Sequence, residues 1–186
     1  MNIVKTLLLL ALATTPVVLP TQAIGEEIAQ QTISSKIMSF VETHRKQLRR
    51  QRRVMFVDYS LPLHKERFFV FDLKKQEVIY STFVGHSPYS GRHRPVRTSN
   101  VPNTRKTSVG LFKIGREYSG RFGKSKKLHG LSKTNSSAYK RAIIVHSMPG
   151  FEVEDLYSWG CFTFFEFDLD EVFSHMKKGT YLIAVN

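Results

Sequence analysis

The rhythm of apolar residues changes once along this chain, near residue 54. From 26 to 53 they are sparse and recur at helical spacing, as Ile33, Ile37, Phe40 or Val41, and Leu48 on an otherwise polar segment, which predicts an amphipathic helix. From Val54 onward they gather into short runs rich in Val, Ile, Phe and Tyr, at 54–59, 67–73, 77–84, 108–114, 141–147, 161–165 and 180–185. Such runs predict strands. Lys74-Lys75-Gln76 is short enough to close a hairpin, and Gly-, Ser- and Pro-rich stretches separate the other runs. One late helix is expected, capped by Asp168 with Glu171 three residues on, stopped by Gly179, and packing Leu169, Val172, Phe173 and Met176 on the sheet. The fold class expected is mainly β, a sandwich or open barrel with an N-terminal helix and one late helix.

Two segments stand outside this pattern. Residues 86–107 carry no periodicity and contain Pro88, Gly91, Pro95 and Pro102, so they read as a long loop placed as a lid or substrate wall. Residues 1–23 combine Lys5, an apolar run from Leu7 to Ala13 and the small-residue site Thr21-Gln22-Ala23, the makings of an export leader. The run is too short, and too interrupted by Pro16 and Pro20, to favour a permanent membrane span. The expected organisation is a leader over 1–23, a basic helical extension over 24–53 and one catalytic domain over 54–186.

Charge and cysteine content narrow the chemistry. The chain carries 28 Lys and Arg against 15 Asp and Glu, a formal net charge of +13. Its partner is expected to be anionic, and export makes an anionic cell-wall or membrane surface more available than nucleic acid. A nucleic-acid-binding protein would explain the charge but neither the leader nor the cysteine usage. The basic run from His44 to Arg53 has a solvated helix face as its usual meaning. Arg116, Arg121, Lys124, Lys126 and Lys127 interleave with Tyr118 and Phe122, which reads as a solvated hairpin tip that also suits holding the wall. An exported chain with the single cysteine Cys161 forms no internal disulfide, which leaves the thiol idle, intermolecular or chemically active.

The surroundings of that thiol decide the question. The run Arg141-Ala142-Ile143-Ile144-Val145 delivers His146 at a strand end, and Ser158-Trp159-Gly160-Cys161-Phe162 follows, with Gly160 permitting a tight bend before the thiol. A free thiol is mostly protonated at neutral pH, so a neighbouring imidazole is needed to generate the nucleophilic thiolate. Backbone N–H groups around Gly160 and Cys161 are candidates for an oxyanion hole, and Ser158 for orienting a ring or meeting substrate. The bland alternative is a small buried Cys beside a hydrogen-bonded strand-end His.

His146 followed by Ser158-x-Gly160-Cys161 resembles the signature of the L,D-transpeptidase catalytic domain, the YkuD-like family. Further landmarks lie in order over 54–186: Val57-Asp58-Tyr59-Ser60 with Phe69-Val70-Phe71-Asp72, then Thr98-Ser99-Asn100, Thr107 through Phe112, Gly130-Leu131 with Asn135, and Arg141 through His146. The resemblance implies a β-rich fold; no cofactor is expected, and no metal either, since no His-x-x-x-His, Cys-x-x-Cys or paired-carboxylate arrangement offers a site. It also implies ping-pong acyl transfer on peptidoglycan stem peptides, and the chain is expected to be a monomer. Cys161 would be the nucleophile and His146 the base then acid, with substrate contacts from Ser99, Asn100, Ser147, Trp159 and Arg141. Many members of the broader family carry an arginine soon after the cysteine that meets substrate carboxylate, whereas Cys161 is followed by Phe162-Thr163-Phe164-Phe165. Arg141, Arg116 and Arg97 are the candidates to replace it. The acyl acceptor, an amine or water, stays open, as does a non-catalytic wall-binding module.

Overall fold

The computed structural model describes residues 21–186; residues 1–20, and with them most of the expected export leader, lie outside the described residues. Helix α1 (Thr21–Thr43) leads through a one-turn helix α2 (Arg45–Leu48) into the strands. These are β1 (Arg53–Asp58), β2 (Phe68–Asp72), β3 (Glu77–Thr82), β4 (Gly110–Gly120), β5 (Gly123–Gly130), β6 (Ile144–Met148), β7 (Phe162–Phe165) and β8 (Tyr181–Val185), with helix α3 (Glu166–His175) before the last strand. All eight strands join one mixed sheet in the order β3-β2-β1-β8-β4-β5-β6-β7. The mainly β class with an N-terminal and a late helix is therefore the fold of this chain.

Alternation along the central strands explains how the sheet is covered on both faces. In β1, Met55 and Val57 point into the main core, which also holds Phe112, Val145, Phe162 and the α3 residues Leu169, Val172, Phe173 and Met176. Val54 and Phe56 point the other way, into a second cluster with Phe71, Leu111 and Ile183. The helical stripe read from the sequence closes that second cluster: Ile37, Val41 and Leu48 are all buried there. Phe40 tilts over Phe56 with ring centroids 5.6 Å apart. Lys36 reinforces the seam by pairing with the buried Asp58 at 2.5 Å.

Several boundaries differ from the pattern. The first helix breaks at His44 and gives way to β1 at Arg53, because Val54 and Phe56 are needed as sheet residues. The expected strand at 141–147 begins only at Ile144; Arg141 and Ala142 stay in a turn in which Ala142 takes φ +53°. Helix α3 starts at Glu166 rather than at Asp168, whose carboxylate accepts instead from the Thr82 hydroxyl at 2.7 Å. The largest correction is at 115–130. Here the chain forms a long hairpin, β4 to β5, turning at Arg121 and Phe122. Its polar, basic alternation hides the apolar signal, and pairing of β5 with β6 stabilises it, Ser125 opposite His146.

Candidate functional site

The site forms where β6 and β7 run parallel. Val145 pairs with Phe162 and His146 with Thr163, so the residue before β7, Cys161, lies beside the start of β6. Val145 and Phe162 both enter the core, and alternation therefore turns His146 to the opposite face of the sheet. Two sequence runs fifteen positions apart thus meet because β6 and β7 are neighbours.

Glycine before the thiol is required twice over. Gly160 has φ +109°, and a Cβ there would come 2.7 Å from the Lys106 carbonyl oxygen. The bend is tied by Ser158, whose hydroxyl donates to the Cys161 carbonyl at 2.7 Å and accepts from the Gly160 N–H at 3.2 Å. That engages the Gly160 amide within its own turn. Ser158 is in turn anchored through its backbone N–H to the His86 carbonyl at 3.0 Å.

The thiol itself is half-buried and directs its hydrogen to the Ala142 carbonyl at 3.7 Å, not to the imidazole. Burial pushes its pKa up; the Ile144 backbone N–H and the Arg141 charge oppose that. His146 is 2% exposed, and its Nδ1 donates to the Ser147 carbonyl at 2.8 Å. This contact fixes the tautomer and leaves Nε2 as the lone-pair nitrogen, with no hydrogen-bond partner among the described residues. Burial lowers the His146 pKa, so the ring is neutral at neutral pH. At rest Cys161 is a thiol and His146 a neutral imidazole whose Nε2 has no hydrogen-bond partner among the described residues.

The remaining expected residues surround this pair in different ways. Arg141 donates to the Ser99 carbonyl, the Ser108 hydroxyl and the Lys106 carbonyl, so its guanidinium clamps the 99–108 segment beside the thiol. Asn100 is occupied as well: its amide donates to the Lys133 carbonyl at 3.0 Å and the Ser136 hydroxyl at 2.9 Å and accepts from the Ser137 N–H at 2.8 Å. Ser99 and Asn100 therefore build the wall of the site through the same bonds that hold it. Ser147 contributes its carbonyl to His146. Trp159 stands 65% exposed at the rim.

Three further residues at the site were not among the expected site residues. Phe122, at the hairpin turn, stacks on His146 with ring centroids 4.3 Å apart and planes 19° apart. Arg105 lies over the Trp159 ring at 4.1 Å and adopts φ +55°. Arg67, fully buried, donates to the Val84 carbonyl and to His86 Nδ1, and so holds the strand-like segment to which Ser158 is tied. Only the hairpin pairing could have pointed to Phe122; the other two depend on long-range packing.

The chain's single thiol and a neutral imidazole are thus carried at neighbouring strands of one sheet. The chain matches the family model described as L,D-transpeptidase catalytic domain over residues 25–185, and it belongs to that family. It is similar in fold to a point mutant of the helical cell shape determining protein Pgp2 from Campylobacter jejuni, at 11% identity and TM-score 0.50 over 71% of this chain and 46% of that one. It also matches an L,D-transpeptidase from Stackebrandtia nassauensis at 12% identity and TM-score 0.49, over 74% of this chain and 57% of that one. The chain therefore spans about half the length of these structures. A search of curated proteins finds no match.

Proposed function

We propose that this chain is an envelope cysteine acyltransferase that works on peptidoglycan stem peptides by L,D-transpeptidation. The observation that carries this reading is the His146 ring, tied through Nδ1 to Ser147 with Nε2 unpartnered among the described residues, on the strand that pairs with the one the chain's single thiol precedes. The reading also draws on family membership, whose members act on the cell wall. The Cys161 sulfur attacks the carbonyl of the third stem residue as Nε2 takes the thiol proton. The tetrahedral adduct collapses, the carbon–nitrogen bond to the terminal D-alanine breaks, and His146 returns the proton to the leaving amine. The thioester then passes to an amine of a second stem, which makes a 3-3 cross-link.

The rim has a donor for the substrate carboxylate. Arg141 spends its guanidinium on the 99–108 segment, whereas Arg105 is exposed and stacked on Trp159, two residues before the thiol. We assign the carboxylate contact to Arg105. Intact-mass measurement after exposure to a carbapenem tests the nucleophile: an adduct on the wild type and none on Cys161→Ser is expected, and an unmodified wild type sinks the reading. Product mass from a disaccharide-tetrapeptide, with and without an added amine, then reads the acceptor. Cross-linked product is expected, and tripeptide alone would turn the enzyme into a carboxypeptidase.

A further inference from the structure

The two faces of the β4–β5 hairpin handle their positive charge in opposite ways. On the face toward α3, the two hairpin lysines both have partners. Lys124 pairs with Asp170 at 2.6 Å and Glu117 at 4.0 Å, and the buried Lys126 pairs with Glu117 at 3.1 Å and donates to the Met176 carbonyl at 2.8 Å. On the other face a cavity of about 610 Å³ is lined by Lys113, Arg116, Lys127, His129, Tyr139 and Lys178, with no carboxylate among its lining residues. None of its Lys and Arg side chains forms an ion pair among the described residues. Uncompensated like charges in a concave surface repel one another and concentrate an attractive field for an anion.

The cavity is shaped, not merely charged. A bulge between Ile114 and Glu117 opens β4 at Gly115, where a Cβ would meet Lys127 Cβ at 2.9 Å and His129 Nε2 at 3.0 Å. Lys127 is held with its ammonium 4.3 Å from the Tyr118 ring, and the His129 and Tyr139 rings stack at 4.9 Å to form one wall. Register places the cavity on the same face as the catalytic candidates: Ser125 pairs with His146 and Lys127 with Ile144. At the rise of an extended strand, Lys127 and His129 lie about 7 Å and about 13 Å along β5 from the position opposite His146.

We infer that this cavity is an anion-binding site that holds carboxylates of a peptidoglycan strand while another part of the same polymer reaches Cys161 and His146. The inference rests on the proposed peptidoglycan substrate, whose stem peptides are carboxylate-bearing. Carboxylate oxygens accept from the Arg116 guanidinium and the Lys113, Lys127 and Lys178 ammonium groups, and the polymer need not be cut there.

The test uses the full chain carrying Cys161→Ala, so that it reads binding alone and stays informative even if Cys161 proves not to be a nucleophile. Pelleting with purified peptidoglycan sacculi at low salt is compared for this protein, for added Arg116→Gln and Lys127→Gln, and for the charge-matched control Lys75→Gln and Lys124→Gln. Removal of the cavity pair is expected to weaken binding at least about fivefold, in the range of partly exposed charge contacts, and the control less than about twofold. Equal loss in both pairs would reduce the effect to net charge and overturn the site. The source of the anion is read with two treated sacculi preparations. Amidation of stem carboxylates is expected to abolish the difference between the variants, and stripping of phosphodiester polymers with hydrofluoric acid to leave it intact. The reverse pattern would assign the cavity to a phosphodiester polymer and overturn the carboxylate assignment.

Discussion

His86 and His146 both close short buried apolar runs, both are almost fully enclosed, and both have a depressed pKa, yet their rings are used differently. Arg67 Nη2 lies 2.7 Å from His86 Nδ1, and because a guanidinium only donates, that nitrogen must accept. The other nitrogen, Nε2, then donates to the Gly91 carbonyl at 2.7 Å. Burial first and the Arg67 charge second lower the His86 pKa to about 4. His86 is a fixed neutral strut with no lone pair to offer. His146 spends only Nδ1, on Ser147, and keeps Nε2 without a hydrogen-bond partner among the described residues. Burial and a lowered pKa thus do not distinguish a base from a strut; the count of free ring nitrogens does.

The comparison breaks most sharply in the rate of acylation. Replacement of His146 by Asn removes the proton acceptor and is expected to slow carbapenem acylation of Cys161 by about 10²–10⁴-fold, the usual worth of a positioned base. Replacement of His86 by Asn keeps an acceptor for Arg67 and a donor for Gly91, and should cost less than about tenfold by the same measurement. Equal losses would mean that both rings act only through structure.

A second difference lies in stability against pH. The folded-state pKa of His86 lies below the unfolded value near 6.5, so the unfolded chain takes up the proton first as the pH falls. The native state is therefore fully favoured by this group above about 6.5 and loses that contribution as the pH drops toward about 4, by on the order of 3 kcal/mol. Thermal melts across that window should show a steep acid-side fall in Tm for wild type and a flatter one for His86→Asn. A slope unchanged in His86→Asn would show that the ring does not stay neutral in the folded chain.

The same pair shows what could be read from the chain without its fold. His146 and Cys161 could be singled out because strand pattern, Gly160 and a family-like spacing all fall within a stretch of about twenty residues, and parallel pairing sets their strands β6 and β7 side by side. Ile37, Val41 and Leu48 were legible as a helical stripe, which the structure buries against β1 and β2. Arg67 was not: in sequence it is one more cation in a basic chain, and only burial against Tyr59, Val84 and His86 reveals it as a strut. The β4–β5 hairpin was read only as a solvated tip, and the length of its strands was missed for a related reason. Its outward positions are Lys, Arg, Ser and Tyr, so alternation was polar against polar, and pairing with β6 supplies the order that local propensity does not.

The finest test of the comparison concerns the ring that shields His146. Phe122 stacks on the imidazole from the hairpin turn and is itself 44% exposed, so it covers His146 without closing the site. Removing it in Phe122→Ala deletes an aromatic contact worth roughly 0.5–1.5 kcal/mol and admits water to the imidazole. Desolvation is the main cause of the lowered His146 pKa, so hydration must move that pKa back up toward the ordinary imidazole value. The acid limb of the acylation rate should shift to higher pH, with a few-fold slower rate at neutral pH from a less fixed ring, about the size of one such contact. An acid limb that stays in place would mean that the strands alone desolvate His146. The hairpin would then contribute its basic cavity and no part of the base.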